Sequence, residues 1–220
     1  MLFDLDGTLV DSVYQHVAAW HEALSGCGIT LSMWRIHRKI GMSGGLFVRG
    51  LMRELGRELD PEVAAELRRR HAAAYAARFH EVTPLPGARE LLETLTRLGA
   101  PWAIATSGGG EVAARTVALL DVPSHVPVVT RDDVAHAKPD PDLFLRAAER
   151  LDVAIEHSIV VGDSVWDLLA ARRAGALGVG LLSGGYGSDE LQSGGAYRVY
   201  EDPADLGRHL DEVGIREPDG

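Results

Sequence analysis

Asp4 and Asp6 stand two residues apart in the run Asp4-Leu5-Asp6-Gly7-Thr8-Leu9-Val10-Asp11-Ser12, directly behind an apolar start. At the end of a buried strand, period-two geometry turns both carboxylates to one side. Two carboxylates held close repel unless a cation lies between them or one of them keeps its proton. A divalent metal meets the first condition, and proton-transfer chemistry uses the second. Three later stretches also carry chemistry. Ile104 through Gly110 is an apolar run that ends in two hydroxyls, Thr106 and Ser107, and the glycines 108–110. Ala137-Lys138-Pro139-Asp140-Pro141 fixes a lysine in a proline-stiffened turn. Ile159 through Asp167 is a buried-looking strand ending in a second acidic pair, Asp163 and Asp167. Each stretch alone also reads as ordinary turn or helix-capping chemistry, because Asp, Ser and Gly are common there.

The elements that must position these groups follow from periodicity. Residues 11–83 read as helices only. Apolar residues from Val13 to Leu24 recur at helical spacing, and the run ends at Gly26 and Gly28. A second helix covers Leu46 to Leu55. A third starts with Asp60 as N-cap and Pro61 in the first turn, and extends to about Phe79. The stretch from Val82 to Gly87 breaks the pattern and reads as a linker. Beyond it, helices at Ala88–Leu98, Glu111–Leu120, Asp142–Leu151, Val165–Ala174 and Pro203–Val213 alternate with strands. The strands are at Trp102–Ala105, Val126–Thr130, Ile159–Val161, Gly178–Leu182 and Ala196–Tyr200. Such alternation implies right-handed crossovers and an α/β fold with a mostly parallel sheet flanked by helices. Ligands in such sheets bind at the carboxyl ends of strands, and this reading puts all four stretches there. Only three residues precede Asp4, fewer than the usual five or so of a central strand. The expectation is that the natural chain starts upstream of this numbering.

Composition narrows the function. The chain has 220 residues, 46% hydrophobic and 25% charged, as in soluble globular proteins. No apolar run nears the ~18 residues of a membrane span, and there is no basic-then-apolar leader. The net charge of −10 argues against nucleic acid or an anionic membrane as partner. It also means that an anionic substrate must meet local positive charge or a metal. A single cysteine, Cys27, fits a reducing cytoplasm and reads as a small hydrophobe. Basic residues are almost all Arg. The two lysines are Lys39 and Lys138, and Lys138 lies in one of the four stretches. Oligomeric state is not legible, and monomer and dimer both stay open.

In order and type, the four stretches resemble the signatures of the haloacid dehalogenase superfamily. These are an Asp-x-Asp-Gly-Thr box, a strand ending in Thr or Ser, a Lys, and a Gly-Asp-x-x-x-Asp box. The resemblance implies a Rossmann-like catalytic core formed by residues 1–10 and 84–220, with an inserted all-helical cap over 11–83. It implies a phosphatase in which Asp4 is the nucleophile and Asp6 the general acid and base. Mg²⁺ would be held by Asp4, Asp163, the Asp6 carbonyl and Asp167, the last directly or through water. Thr106, Ser107 and Gly108 would bind the phosphoryl group, and Lys138 would neutralise its charge. Within the superfamily, residues 16–20 and 40–45 look like the first cap helix and the specificity loop of the phosphoglycolate phosphatase and β-phosphoglucomutase branch. His16, Gly44 and Arg49 are then substrate-binding candidates. Arg35, Arg38, Lys39 and Arg49 add positive charge that could meet a second anionic group or simply face solvent.

Departures from the pattern separate the competitors. Asp6 disfavours a carbon–halogen hydrolase, which lacks an acid at that position. Lys39 is not clearly at the place of a phosphonatase's cap lysine. A sugar-phosphate mutase of this branch carries Lys and Arg where this chain has Ile40 and Gly44. The favoured reading is a Mg²⁺-dependent phosphatase of a small phosphorylated metabolite, of phosphoglycolate or sugar-phosphate type. A phosphosugar mutase and a non-catalytic phosphometabolite-binding module are the alternatives.

Overall fold

The structure is a computed structural model that describes residues 1–56 and 60–216. The chain runs β1 (Leu2–Phe3), β2 (Val10–Asp11), α1 (Val13–Gly26), α2 (Met33–His37), α3 (Gly44–Glu54), α4 (Pro61–Arg78), β3 (Thr83–Pro84) and α5 (Ala88–Arg97). It continues through β4 (Ala103–Ala105), α6 (Gly110–Val117), β5 (Val128–Val129), α7 (Asp142–Arg150), β6 (Ile159–Gly162) and α8 (Val165–Ala174). It ends with β7 (Leu177–Leu181), α9 (Ser188–Gly194), β8 (Ala196–Tyr200) and α10 (Pro203–Arg208). Two compact units result, one of residues 1–11 and 83–220 and one of residues 12–82. The last four residues of the first range lie outside the described residues.

The first unit is built on a six-stranded sheet in the order β5-β4-β1-β6-β7-β8. Every pair in it is parallel. Leu2, Phe3, Ala103, Ile104, Val160 and Val161 are fully buried, because helices cover both faces of a parallel sheet. The helices contribute apolar stripes at helical spacing. Leu91, Leu92 and Leu95 are buried on α5, and Leu143, Phe144, Ala147 and Ala148 on α7. Gly175 stops α8 in a left-handed conformation, φ 81°, which glycine adopts without cost.

The second unit is helical. Val13, Val17, Trp20 and Leu24 line one face of α1 and pack with Ile36, Phe47, Leu51 and Leu67 from the other three helices. Asp60 caps α4 by accepting from the Glu62 amide at 2.7 Å, and Pro61 fills the first turn. Two details differ from the sequence reading. The helix α2 is too short for its periodicity to register over one turn. Asp11 and Thr83, assigned by sequence to the helical segment, belong to the sheet unit. Their strands β2 and β3 pair antiparallel, with Val10 opposite Pro84 and Asp11 opposite Thr83. A two-residue strand has no period to detect. No described helix is long and apolar enough to cross a membrane.

Candidate active site

Strand register brings three of the four stretches together. Phe3 pairs with both Ile104 and Val161, so β4, β1 and β6 end at one level. Asp4 follows β1 at once, its amide donating to the Val161 carbonyl at 2.9 Å. Thr106 follows β4, and Asp163 follows β6. Lys138 departs from the expectation. It does not end a strand but lies in the turn between β5 and α7, and its long stem spans the remaining distance.

The fully buried Lys138 ammonium forms ion pairs with Asp4 Oδ1 and, at 2.8 Å, with Asp167 Oδ1. It also lies 4.9 Å above the centre of the Phe144 ring, a cation–π contact. Oxygens of Asp4, Asp163 and Asp167 all lie within 4.8 Å of one another, and all three residues are buried. Thr8 joins this cluster. Its hydroxyl donates to Asp163 Oδ1 at 3.1 Å, with Asp4 Oδ2 at 3.5 Å. Ser164, the N-cap of α8, donates to Asp167 Oδ2 through its hydroxyl at 2.5 Å and its amide at 3.1 Å. Asp167 is thereby held rigidly toward the lysine. Thr8 belongs to the first box but had no role assigned from sequence, and Ser164 was not singled out, because a hydroxyl next to a carboxylate box is indistinguishable from turn chemistry.

Two glycines make room for these acids. A Cβ on Gly184 would lie 1.7 Å from Asp163 Oδ2, and one on Gly162 would lie 2.3 Å from Asp167 Cβ. Any larger residue at either position would displace a carboxylate.

Burial and mutual repulsion raise Asp4 and Asp163. Burial pushes the Asp4 carboxyl up to about 7, and Lys138 only partly offsets this. Asp163 is raised by burial first, then by Asp167 and Asp4. Burial alone would lower Lys138, but Asp167 and Asp4 outweigh it and hold the ammonium charged, above its usual range. Three carboxylates against one ammonium leave two uncompensated negative charges, matched by one divalent cation. An all-oxygen donor set of this kind suits a hard ion such as Mg²⁺. The residues present therefore fit such a metal.

The second stretch offers donors. Thr106 Oγ1 accepts from the Gly108 amide at 3.0 Å, which leaves its own hydroxyl proton available. Ser107 Oγ is buried without a hydrogen-bond partner among the described residues. A buried polar atom left unpaired is costly, and a bound anionic group would relieve it. Asp6 lies beside Gly7 and forms an isolated bridge to Val10. It is only half buried, unlike Asp4.

The remaining expected residues belong to the helical unit. His16 stacks on Tyr75, with ring centres 3.9 Å apart, and its Nδ1 lies 3.2 Å from His71 Nε2. His71 in turn stacks on Trp20, and Trp20 on Phe47. Gly44 opens α3 next to Trp20, and Arg49 is exposed on the same helix. Sequence gave no sign of His71, since a helical His carries no motif.

Parallel strands thus bring a buried acidic cluster together at their carboxyl ends, and Lys138 reaches it from the segment between β5 and α7. The family model for haloacid dehalogenase-like hydrolases matches residues 1–175. Hexitol phosphatase A of Escherichia coli is 34% identical over 176 residues, covering 79% of this chain and 78% of the relative. A phosphoglycolate phosphatase of Caulobacter vibrioides is 32% identical over 200 residues, 88% of this chain and 83% of its own. A solved hydrolase structure from Pseudomonas syringae superposes with a TM-score of 0.94 at 56% identity, covering 96% of this chain and 97% of that one. The chain belongs to the haloacid dehalogenase-like hydrolases, and it is an enzyme of the phosphoric monoester hydrolase kind.

Proposed function

We propose that the chain is a Mg²⁺-dependent phosphatase of a small phosphorylated metabolite, of phosphoglycolate or sugar-phosphate type, acting through an aspartyl-phosphate on Asp4. The clustering of Asp4, Asp163 and Asp167, with Asp4 and Asp167 paired to one buried lysine, supports this reading most strongly. Relatives named for hexitol phosphate and phosphoglycolate hydrolysis support the substrate class.

A bound Mg²⁺ would supply charge neutralisation between the nucleophile and the phosphoryl oxygens. Asp4, Asp163 and the Asp6 carbonyl would hold it. Asp167, already engaged by Lys138 and Ser164, serves chiefly to fix the lysine and completes the acidic set. In the first step an Asp4 oxygen forms a bond to phosphorus while the ester P–O bond breaks. Asp6, the half-buried acid, passes its proton to the departing alkoxide. Thr106 and Ser107 orient the phosphoryl oxygens, the Gly108 amide holds the Thr106 oxygen in place, and Lys138 offsets the phosphoryl charge. In the second step Asp6 takes a proton from water as the water oxygen bonds to phosphorus. The Asp4–phosphorus bond breaks, which frees phosphate and restores Asp4. Substrate choice is assigned to the helical unit, with His16, Gly44 and Arg49 as its candidates.

The test is phosphate release from p-nitrophenyl phosphate and from a panel of phosphorylated metabolites, with Mg²⁺ and with EDTA. Release that needs Mg²⁺ and disappears in Asp4→Asn is the expected result. Equal rates for wild type and Asp4→Asn would remove the proposal.

A further inference from the structure

The helix that follows Thr106 and Ser107 begins without a cap of its own. Gly109 stands at the N-cap of α6 and has no side chain to accept from the amides of the first turn. The Gly110 amide donates instead to Asp132 Oδ2 at 2.8 Å, so the cap comes from the segment after β5. The same oxygen lies 3.4 Å from where a Cβ on Gly110 would stand and 3.7 Å from one on Gly109, which seats the carboxylate against the glycine pair. A second bond from this segment holds the loop, the Arg131 amide donating to the Gly108 carbonyl at 3.0 Å. Glycine has more backbone freedom than any other residue, so three in a row must be fixed from outside. The segment that fixes them is itself braced. The Thr130 amide and hydroxyl donate to Asp133 Oδ2 at 2.8 and 2.9 Å, and Asp133 pairs with Arg150 of α7. The Arg131 guanidinium donates to the carbonyls of Val134 at 2.6 Å and Ala135 at 3.2 Å, just ahead of Lys138.

We propose that Asp132 is a positioning residue for phosphoryl binding. Its carboxylate fixes the start of α6, and together with the Arg131 amide it holds Gly108, whose own amide sets the Thr106 oxygen. This role rests on the phosphatase reading of the site, and Asp132 acts through residues 106–110 without touching the substrate. A carboxylate at a helix N-cap is worth roughly two- to thirtyfold in the equilibrium it supports.

The test is titration of the full ¹⁵N-labelled chain with inorganic phosphate in the presence of Mg²⁺, read by the amide shifts of residues 106–110, beside steady-state hydrolysis of p-nitrophenyl phosphate. Asp132→Ala is expected to weaken phosphate binding at least about threefold. KM should rise by a similar factor, because the loop grips the phosphoryl group in the ground state and the transition state alike. Asp132→Asn keeps an acceptor oxygen for the Gly110 amide and should stay within about twofold of wild type. Phosphate binding and KM unchanged in Asp132→Ala would overturn the proposal. So would a fall in kcat alone that tracks a lower melting temperature, or an Asn variant as weak as the Ala variant. Wild type that binds phosphate at residues 106–110 yet releases none from the ester would overturn the phosphatase reading alone, and the phosphate affinity of Asp132→Ala would still decide the role of Asp132. Wild type with no phosphate response would overturn both.

Discussion

Replacing Lys138 by Met removes the one cation from a fully buried cluster of three carboxylates. The stem volume is nearly kept, so the change reports mainly on charge. Removing one partner of a buried ion pair costs about 3–5 kcal/mol, because the remaining charge is left uncompensated. For a domain of this size that corresponds to roughly a 10 °C fall in melting temperature. The loss depends on pH with a definite sign. Asp4 and Asp163 are raised in the folded state, Asp4 to about 7, above the ordinary carboxylate value that holds when unfolded. A group raised in this way favours folding at low pH, and that contribution is lost as pH climbs through the folded value. Without the lysine the carboxylates repel more and titrate higher still. The full cost is therefore expected at pH 8, and less than half of it at pH 5, where Asp4 carries a proton. Thermal or urea unfolding of wild type and Lys138→Met in EDTA at both pH values measures this. An equal loss at pH 5 and pH 8, or a loss below about 1 kcal/mol at pH 8, would refute the reasoning.

Other outcomes follow from the same geometry. Gly184→Ala places a methyl against Asp163, and is expected to lower Mg²⁺-dependent hydrolysis at least about tenfold and to destabilise by about 1–3 kcal/mol, read by steady-state kinetics and urea unfolding. Thr8→Val removes the donor to Asp163 and is expected to weaken Mg²⁺ binding, measured by calorimetry, with Thr8→Ser restoring it. Ser107→Ala removes a buried hydroxyl that has no hydrogen-bond partner among the described residues, so its unfolding free energy should equal or exceed that of wild type while KM for the phosphomonoester rises several-fold. Wild type in EDTA should lose stability between about pH 5 and pH 8, and Mg²⁺ should restore it at pH 8, as seen by melting curves.

Much of the catalytic unit was legible in the sequence because its signals are local. Apolar runs followed by Asp or Thr mark strand ends, and β1, β4 and β6 lie side by side with those ends level. What was not legible is long-range. Lys138 reaches the cluster from a turn rather than a strand end, and only the fold shows that its partners are Asp4 and Asp167. Gly162 and Gly184 look like ordinary loop glycines until the acids that crowd them are in place. The stacked rings of His16, His71 and Trp20 join two helices whose faces cannot be paired from periodicity alone. The ribbon of β2 and β3 is invisible for a similar reason, since each strand has two residues and its partner lies more than seventy positions away.

The central claim is a covalent phosphoryl group on Asp4, and chemical trapping tests it most directly. Acid quench during turnover with Mg²⁺ and substrate, followed by borohydride reduction and peptide mass spectrometry, converts an acyl phosphate to the corresponding alcohol. Homoserine at position 4, dependent on both Mg²⁺ and substrate, is the predicted result. Phosphate release in the same samples with residue 4 unaltered, or with the modification at another acid, would contradict it.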